Sequence, residues 1–159
     1  MRTLLNCRLR LISSLMLLAG LLGFSCPALA ALGGDVSSVE ADRAHMKASI
    51  QVTQADGYDV HQMRIDGGTV VKEYVSPEGR VFAVTWQGPF VPDMQQVLGS
   101  YFQRYSLALQ AQKKRYGRAP LSIQQPGLVV QTGGHMRAYF GRAYVPEMVP
   151  TGVRAETIK

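Results

Sequence analysis

Short runs rich in β-branched and aromatic residues fill the chain between Ser49 and Gln87: "IQVTQ", "YDVHQMRI", "TVVKEYV" and "RVFAVTWQ", separated by "DG", "DGG" and "SPEG". Runs of this composition at such spacing read as strands, and Asp-Gly and Pro-x-Gly pairs suit the tight turns between them. The segment is therefore expected to be an antiparallel meander. In residues 80–87, Phe82, Val84 and Trp86 share one face while Val81, Ala83 and Thr85 share the other. Strand side chains alternate, so both faces of this strand are mostly apolar, and it is expected to lie centrally, covered on two sides.

"GPFVP" ends that pattern, and from Asp93 the apolar period lengthens. Met94, Val97, Leu98, Tyr101, Phe102, Tyr105, Ala108 and Leu109 follow helical spacing. The reading is one long amphipathic helix. Asp93 favours its positive N-terminus, Lys113, Lys114 and Arg115 its negative end, and Gly117 with Pro120 stops it. Gly99 inside it costs about 1 kcal/mol relative to Ala, which points to close approach to another backbone. Beyond the helix, residues 121–124, 128–131 and 135–144 read as strands divided by "QPG" and "TGG". The expected fold class is α+β: an antiparallel β-meander sheet packed by one long amphipathic helix, with a second small set of strands after it.

Ahead of the meander, Ser37 stands three residues before Glu40, the spacing of a capping box. A short helix over 39–47 follows from it. With the glycine-rich "ALGGD" before it, the stretch 31–48 is expected to be an N-terminal arm.

The first thirty residues are of another kind. Arg2, Arg8 and Arg10, with no acid, precede a mostly apolar run over 11–24, and Ala28-Leu-Ala30 forms an A-x-A pair. These are the parts of a secretory signal peptide, too short and wrongly flanked for a spanning helix. Cleavage after Ala30 leaves residues 31–159 as a single domain in the periplasm or outside the cell. A lipid on Cys26 is the alternative, but of the residues just before it, Gly23, Phe24 and Ser25, only the serine suits a lipobox, and Pro27 follows. Cys7 and Cys26 both leave with the leader, so the mature chain has no disulfide, thiol nucleophile or zinc-cysteine site. Three of the 17 Lys and Arg leave as well while all 11 acids stay, so the net charge falls from +6 to +3. That mild balance, in an exported chain, argues against nucleic acid.

"GTVVKEYVSPEGRVFAVTWQGPFVPD", "LGSYF" and "GGHMRAYFGRAYVPEMVPTGV" resemble a family of small exported proteobacterial proteins known only as a domain of unknown function. The resemblance implies an envelope or secreted location. It implies no catalytic residue, because the family has no assigned activity.

Candidate chemistry is sparse. His61 and Met63 share a strand face and, with His135, would suit Cu(I), a soft ion that accepts imidazole and thioether. No tight ligand spacing supports the set, and Met is an ordinary core filler. Ser100, His135 and Asp93 can be written as a hydrolytic triple, and Glu73 with Glu78 as paired carboxylates, but no nucleophile elbow places the serine and the glutamates flank a turn. Trp86, the sole tryptophan, reads first as core; with Phe90, Tyr101 and Tyr105 it would otherwise form a platform for sugar or peptide. Lys113, Lys114 and Arg115 could touch anionic lipid or cell-wall polymer, although complementing a helix dipole explains them as well. The reading that follows is a non-catalytic accessory or binding module of the cell envelope, with no cofactor and an envelope protein or cell-wall component as partner. Copper binding is the alternative, and an envelope hydrolase a more distant one.

Overall fold

The turn pairs act where the sequence places them: Asp56-Gly57, Pro77-Glu78-Gly79 and Pro126-Gly127 all reverse the chain, and their glycines take φ values of 83°, 75° and 71°. The computed structural model describes residues 32–35, 49–65, 67–112 and 120–159. The expected leader with Cys7 and Cys26, the short helix expected over 39–47, and Lys113, Lys114 and Arg115 lie outside the described residues.

Strands β1 (Ser49–Ala55), β2 (Tyr58–Arg64), β3 (Val70–Val75) and β4 (Val81–Gly88) form the expected meander. After the helical segment come β5 (Leu121–Gln125), β6 (Leu128–His135) and β7 (Ala138–Tyr144). The two sets are not separate. β4 pairs with β7, giving one antiparallel sheet in the order β1-β2-β3-β4-β7-β6-β5. β4 is its central strand, and residues 81–86 are all buried.

The two apolar faces of β4 are covered by different things. On the upper face, Val84 and Trp86 join Met63, Val71, Ile123, Val130 and Ala143 beneath Val97, Leu98 and Tyr105 of the helical segment. On the lower face, Tyr74, Phe82 and Ala83 pack against Ile158, with Val153 and Ala155 partly buried beside them. A bulge between Tyr74 and Val75 skips one residue of β4, which turns Phe82 to the same side as Ala83. Phe82 there meets Tyr58 edge-on at 5.9 Å. The molecule thus has three layers: helix, sheet and C-terminal segment.

The helix starts as expected and then departs from expectation. Asp93 caps α1 (Met94–Leu98), its Oδ1 accepting from the amides of Gln95 (2.8 Å) and Gln96 (3.4 Å). Gly99 adopts φ 48° and ψ −120°, so the helix breaks into a 3-10 turn over Gly99–Tyr101 before resuming as α2 (Phe102–Ala111). The glycine is there for its backbone conformation. The break re-phases the apolar stripe: Phe102, Tyr105 and Ala108 meet the sheet, while Leu109 is left 42% exposed.

Two further expectations are corrected. "TGG" is not a turn but the end of β6; the hairpin turns at Met136-Arg137, where Arg137 takes φ 64°. Gly133 is needed because the Phe140 ring lies over it, 2.8 Å from where a Cβ would stand, and a Cβ on Gly134 would meet the Ala138 carbonyl. "ALGGD" does not trail free over its described residues, 32–35. Leu32 is buried in the upper core, its amide donates to the Val97 carbonyl at 3.1 Å, and Gly33 and Gly34 exchange hydrogen bonds with Val81.

Candidate functional site

Register, carried from one half of the sheet to the other by the β4–β7 pairing of strands distant in sequence, aligns one row of side chains across the whole lower face. Following the pairs from strand to strand gives Gln51, Gln62, Lys72, Thr85, Arg142, Gln131 and Ser122. Every strand contributes one residue and every residue is polar. Toward one end of the sheet the parallel row is apolar (Val60, Tyr74, Ala83, Tyr144) and lies under the C-terminal segment. Toward the other end stand Val70, Gln87 and Phe140. Between these boundaries runs a groove of about 690 Å³, walled on one side by Ile158 and Lys159.

Arg142 and Lys72 hold that wall in place. The Arg142 guanidinium donates to Gln131 Oε1 (2.7 Å), to the Ala155 carbonyl (2.8 Å) and to the Ile158 carbonyl (3.4 Å), and it lies over the Tyr144 ring. Lys72 Nζ donates to the Lys159 carbonyl at 3.2 Å. The Tyr74 hydroxyl donates to that same oxygen and accepts from the Lys159 amide at 3.0 Å. Burial pushes the Tyr74 pKa up, opposed in part by hydrogen bonds with Thr85 and Lys159. An ammonium carries three donors, and Lys72 is only half-buried, so it can still meet a ligand.

The groove has a definite chemical character. Lys72, Arg142 and Lys159 have cationic side chains, Gln62, Gln87 and Gln131 bring amides, Phe140 is 54% exposed, and no described lining side chain is a carboxylate. Amides donate and accept, the cations favour anions, and an aromatic ring stacks on apolar faces. The set can hold a polar, negatively charged molecule.

The residues singled out from sequence are dispersed. His61 and Met63 do share the upper face of β2, but Met63 is fully buried in the core and His61 stands opposite Glu73. His135 ends β6, four strand spacings of about 4.8 Å from β2 in the sheet order. The structure therefore does not bring the two histidines together, and among the described residues no three His, Cys, Asp or Glu side chains are grouped as metal ligands. Trp86 (2% exposed) and Tyr105 are core, Tyr101 packs against Gly33, and Phe90 is 61% exposed. Ser100 is exposed on the 3-10 turn and Asp93 caps α1, both far in sequence from His135 on its hairpin. Glu73 is buried on the upper face, whereas Glu78 sits in the exposed β3–β4 turn, its pKa lowered by a hydrogen bond from Ser76.

A family model described as a protein of unknown function, DUF2844, matches residues 28–158. The chain belongs to the DUF2844 family. No curated protein and no solved structure matches it. The match spans the seven strands and two helices found among the described residues of this DUF2844 domain, so the groove lies wholly within the family's extent apart from Lys159. No helix among the described residues is long and apolar enough to cross a membrane. The groove-lining residues that sequence reasoning passed over are Gln62, Lys72, Gln87, Gln131, Phe140 and Arg142. Alternation within "TVVKEYV" puts Lys72 on the face opposite Val71 and Val75, but nothing local says which residues of other strands stand beside it.

Proposed function

We propose that the protein is an exported, non-catalytic binding module of the cell envelope whose lower-face groove takes an anionic saccharide chain. The observation that carries the reading is the seven-residue polar row with its cations and amides and no carboxylate among the described lining side chains. Glutamine amides reach the paired hydroxyls of a sugar, Phe140 offers a face for the ring's C–H groups, and Lys72 pairs with a carboxylate or phosphate substituent. The described lining side chains, amides, hydroxyls and cations without carboxylate or imidazole, suit holding a ligand. Export rests on the arginines and apolar run of the first thirty residues.

Titration of the labelled protein with a uronic-acid oligosaccharide and with a neutral one of equal length tests the site by NMR. The acidic chain is expected to shift the amide signals of Gln62, Gln87 and Gln131, and Lys72→Ala to weaken it about tenfold. Equal binding of the neutral chain, or affinity indifferent to Lys72→Ala, would remove the reading. Intact mass of native material should start at Ala31; a retained leader or an acyl group on Cys26 would overturn the route of export.

A further inference from the structure

The two edges of the sheet are not alike. Hydrogen bonds in an antiparallel pair alternate, so every second residue of an edge strand directs its N–H and C=O away from the sheet. On β5 the turn Pro126-Gly127 closes on the pair Gln125 and Leu128, which makes Ser122 and Gln124 the outward residues. The Ser122 carbonyl already accepts from Gln112 Nε2 at 3.3 Å, beyond the end of α2, and the strand is only five residues long. That edge is partly closed.

β1 is different. Its turn closes on Ala55 and Tyr58, so the outward residues are Ile50, Val52 and Gln54. Among the described residues β1 pairs with β2 alone. It runs seven residues with no charge, no proline and no break in register, and residues 51–55 are all exposed. Proteins ordinarily blunt a long edge with lysine, proline or a bulge, and β1 carries none of these.

We propose that β1 is the docking edge for a second copy of this chain, the two strands running antiparallel about Val52. The fit is two-fold: Val52 meets its own counterpart, Ile50 meets the partner's Gln54, and all three outward residues on each side exchange both backbone bonds. Ile50, Val52 and Gln54 share the upper face, so the half-exposed Val52 side chains cover each other, and no like charges oppose. Pockets or charges select a foreign strand, and β1 carries no charge to do so. Symmetry supplies the register for a copy without them. The contact is one strand wide, at the small end of specific interfaces, so the dimer is concentration-dependent.

Sedimentation across a concentration series, paired with hydrogen exchange, tests this. The expected result is a monomer–dimer equilibrium in which the amides of Ile50, Val52 and Gln54 gain protection with concentration. Those of Gln51, Thr53 and Ala55, bonded within the β1–β2 hairpin, stay protected throughout. Val52→Pro removes an outward N–H and leaves that hairpin ladder intact, and Val52→Lys places like charges on the two-fold axis; each should weaken association by about tenfold or more. Leu107→Lys, on the exposed side of α2, should not. A monomer at every concentration would overturn the proposal. So would a dimer that survives both Val52 variants, or protection without the alternation. These readouts involve no saccharide, so they stand or fall apart from the groove.

Discussion

Gly141 offers the sharpest test of how the core is assembled. Its φ lies outside the positive region, so backbone conformation alone does not demand glycine. In an open setting Gly→Ala there would stabilise by about 0.4–1 kcal/mol through the unfolded chain. The setting is not open. Gly141 pairs with Trp86 across the β4–β7 ladder, and an added Cβ would collide with indole Cζ2, stand 2.5 Å from Cε2 and lie 2.9 Å from the Gln131 carbonyl. The indole is rigid and 2% exposed, so it cannot swing away. Overpacking of this kind costs about 1–3 kcal/mol. For a folded region of this size that lowers Tm by about 4–10 °C. The assay is thermal unfolding by circular dichroism, with fluorescence of the single tryptophan as a second probe in variants that retain it. Trp86→Phe removes the benzo ring that blocks the methyl group, so Gly141→Ala introduced into that background should become nearly neutral, a coupling of about 1 kcal/mol or more. Trp86→Phe itself should be mild for a core deletion, because it also removes a buried indole N–H that has no hydrogen-bond partner among the described residues. Gly141→Ala raising Tm, or costing the same in both backgrounds, would refute the reasoning.

Other outcomes can be stated briefly. Burial raises the hydroxyl pKa of Tyr74 and Tyr105. The unfolded chain then gives up these protons first, so stability is intact below about pH 10 and falls as pH rises through the folded values. Urea midpoints between pH 8 and 11 should decline, with a shallower decline in Tyr105→Phe; a flat profile would contradict the burial. Thr69 Oγ1 donates to the Phe90 carbonyl and accepts from its amide, pinning the loop that leads into α1, so Thr69→Val should cost about 1–3 kcal/mol in chemical unfolding. Asp93→Ala should cost about 1 kcal/mol through loss of the cap, with Asp93→Asn recovering most of it.

What could be read from the sequence was whatever depends on near neighbours. The two-faced apolar character of 81–86, the turns at Asp56-Gly57 and Pro126-Gly127, and the cap at Asp93 are local matters, and each stands in the structure. What could not be read depends on residues far apart. Nothing near Trp86 says that Gly141 will lie beside it, and without that pairing the sheet looks like two separate meanders. "TGG" resembles a turn until Phe140 is known to lie over Gly133. Gly99 looked like a close approach because helical period continues across it, yet its positive φ breaks the rod. The groove was invisible for the same reason: Lys72, Thr85, Arg142 and Gln131 are ordinary surface polar residues until register aligns them.

The stretch from Ala155 to Lys159 is at once a lid on the lower aromatic cluster and a bank of the groove. Ile158 is 1% exposed, and the backbone of Lys159 is gripped by Lys72 and Tyr74. A variant shortened to Thr157 would therefore bare Phe82 and Tyr74 and erase one bank in the same stroke. Resistance to heat and the groove's proposed hold on a saccharide would decline together.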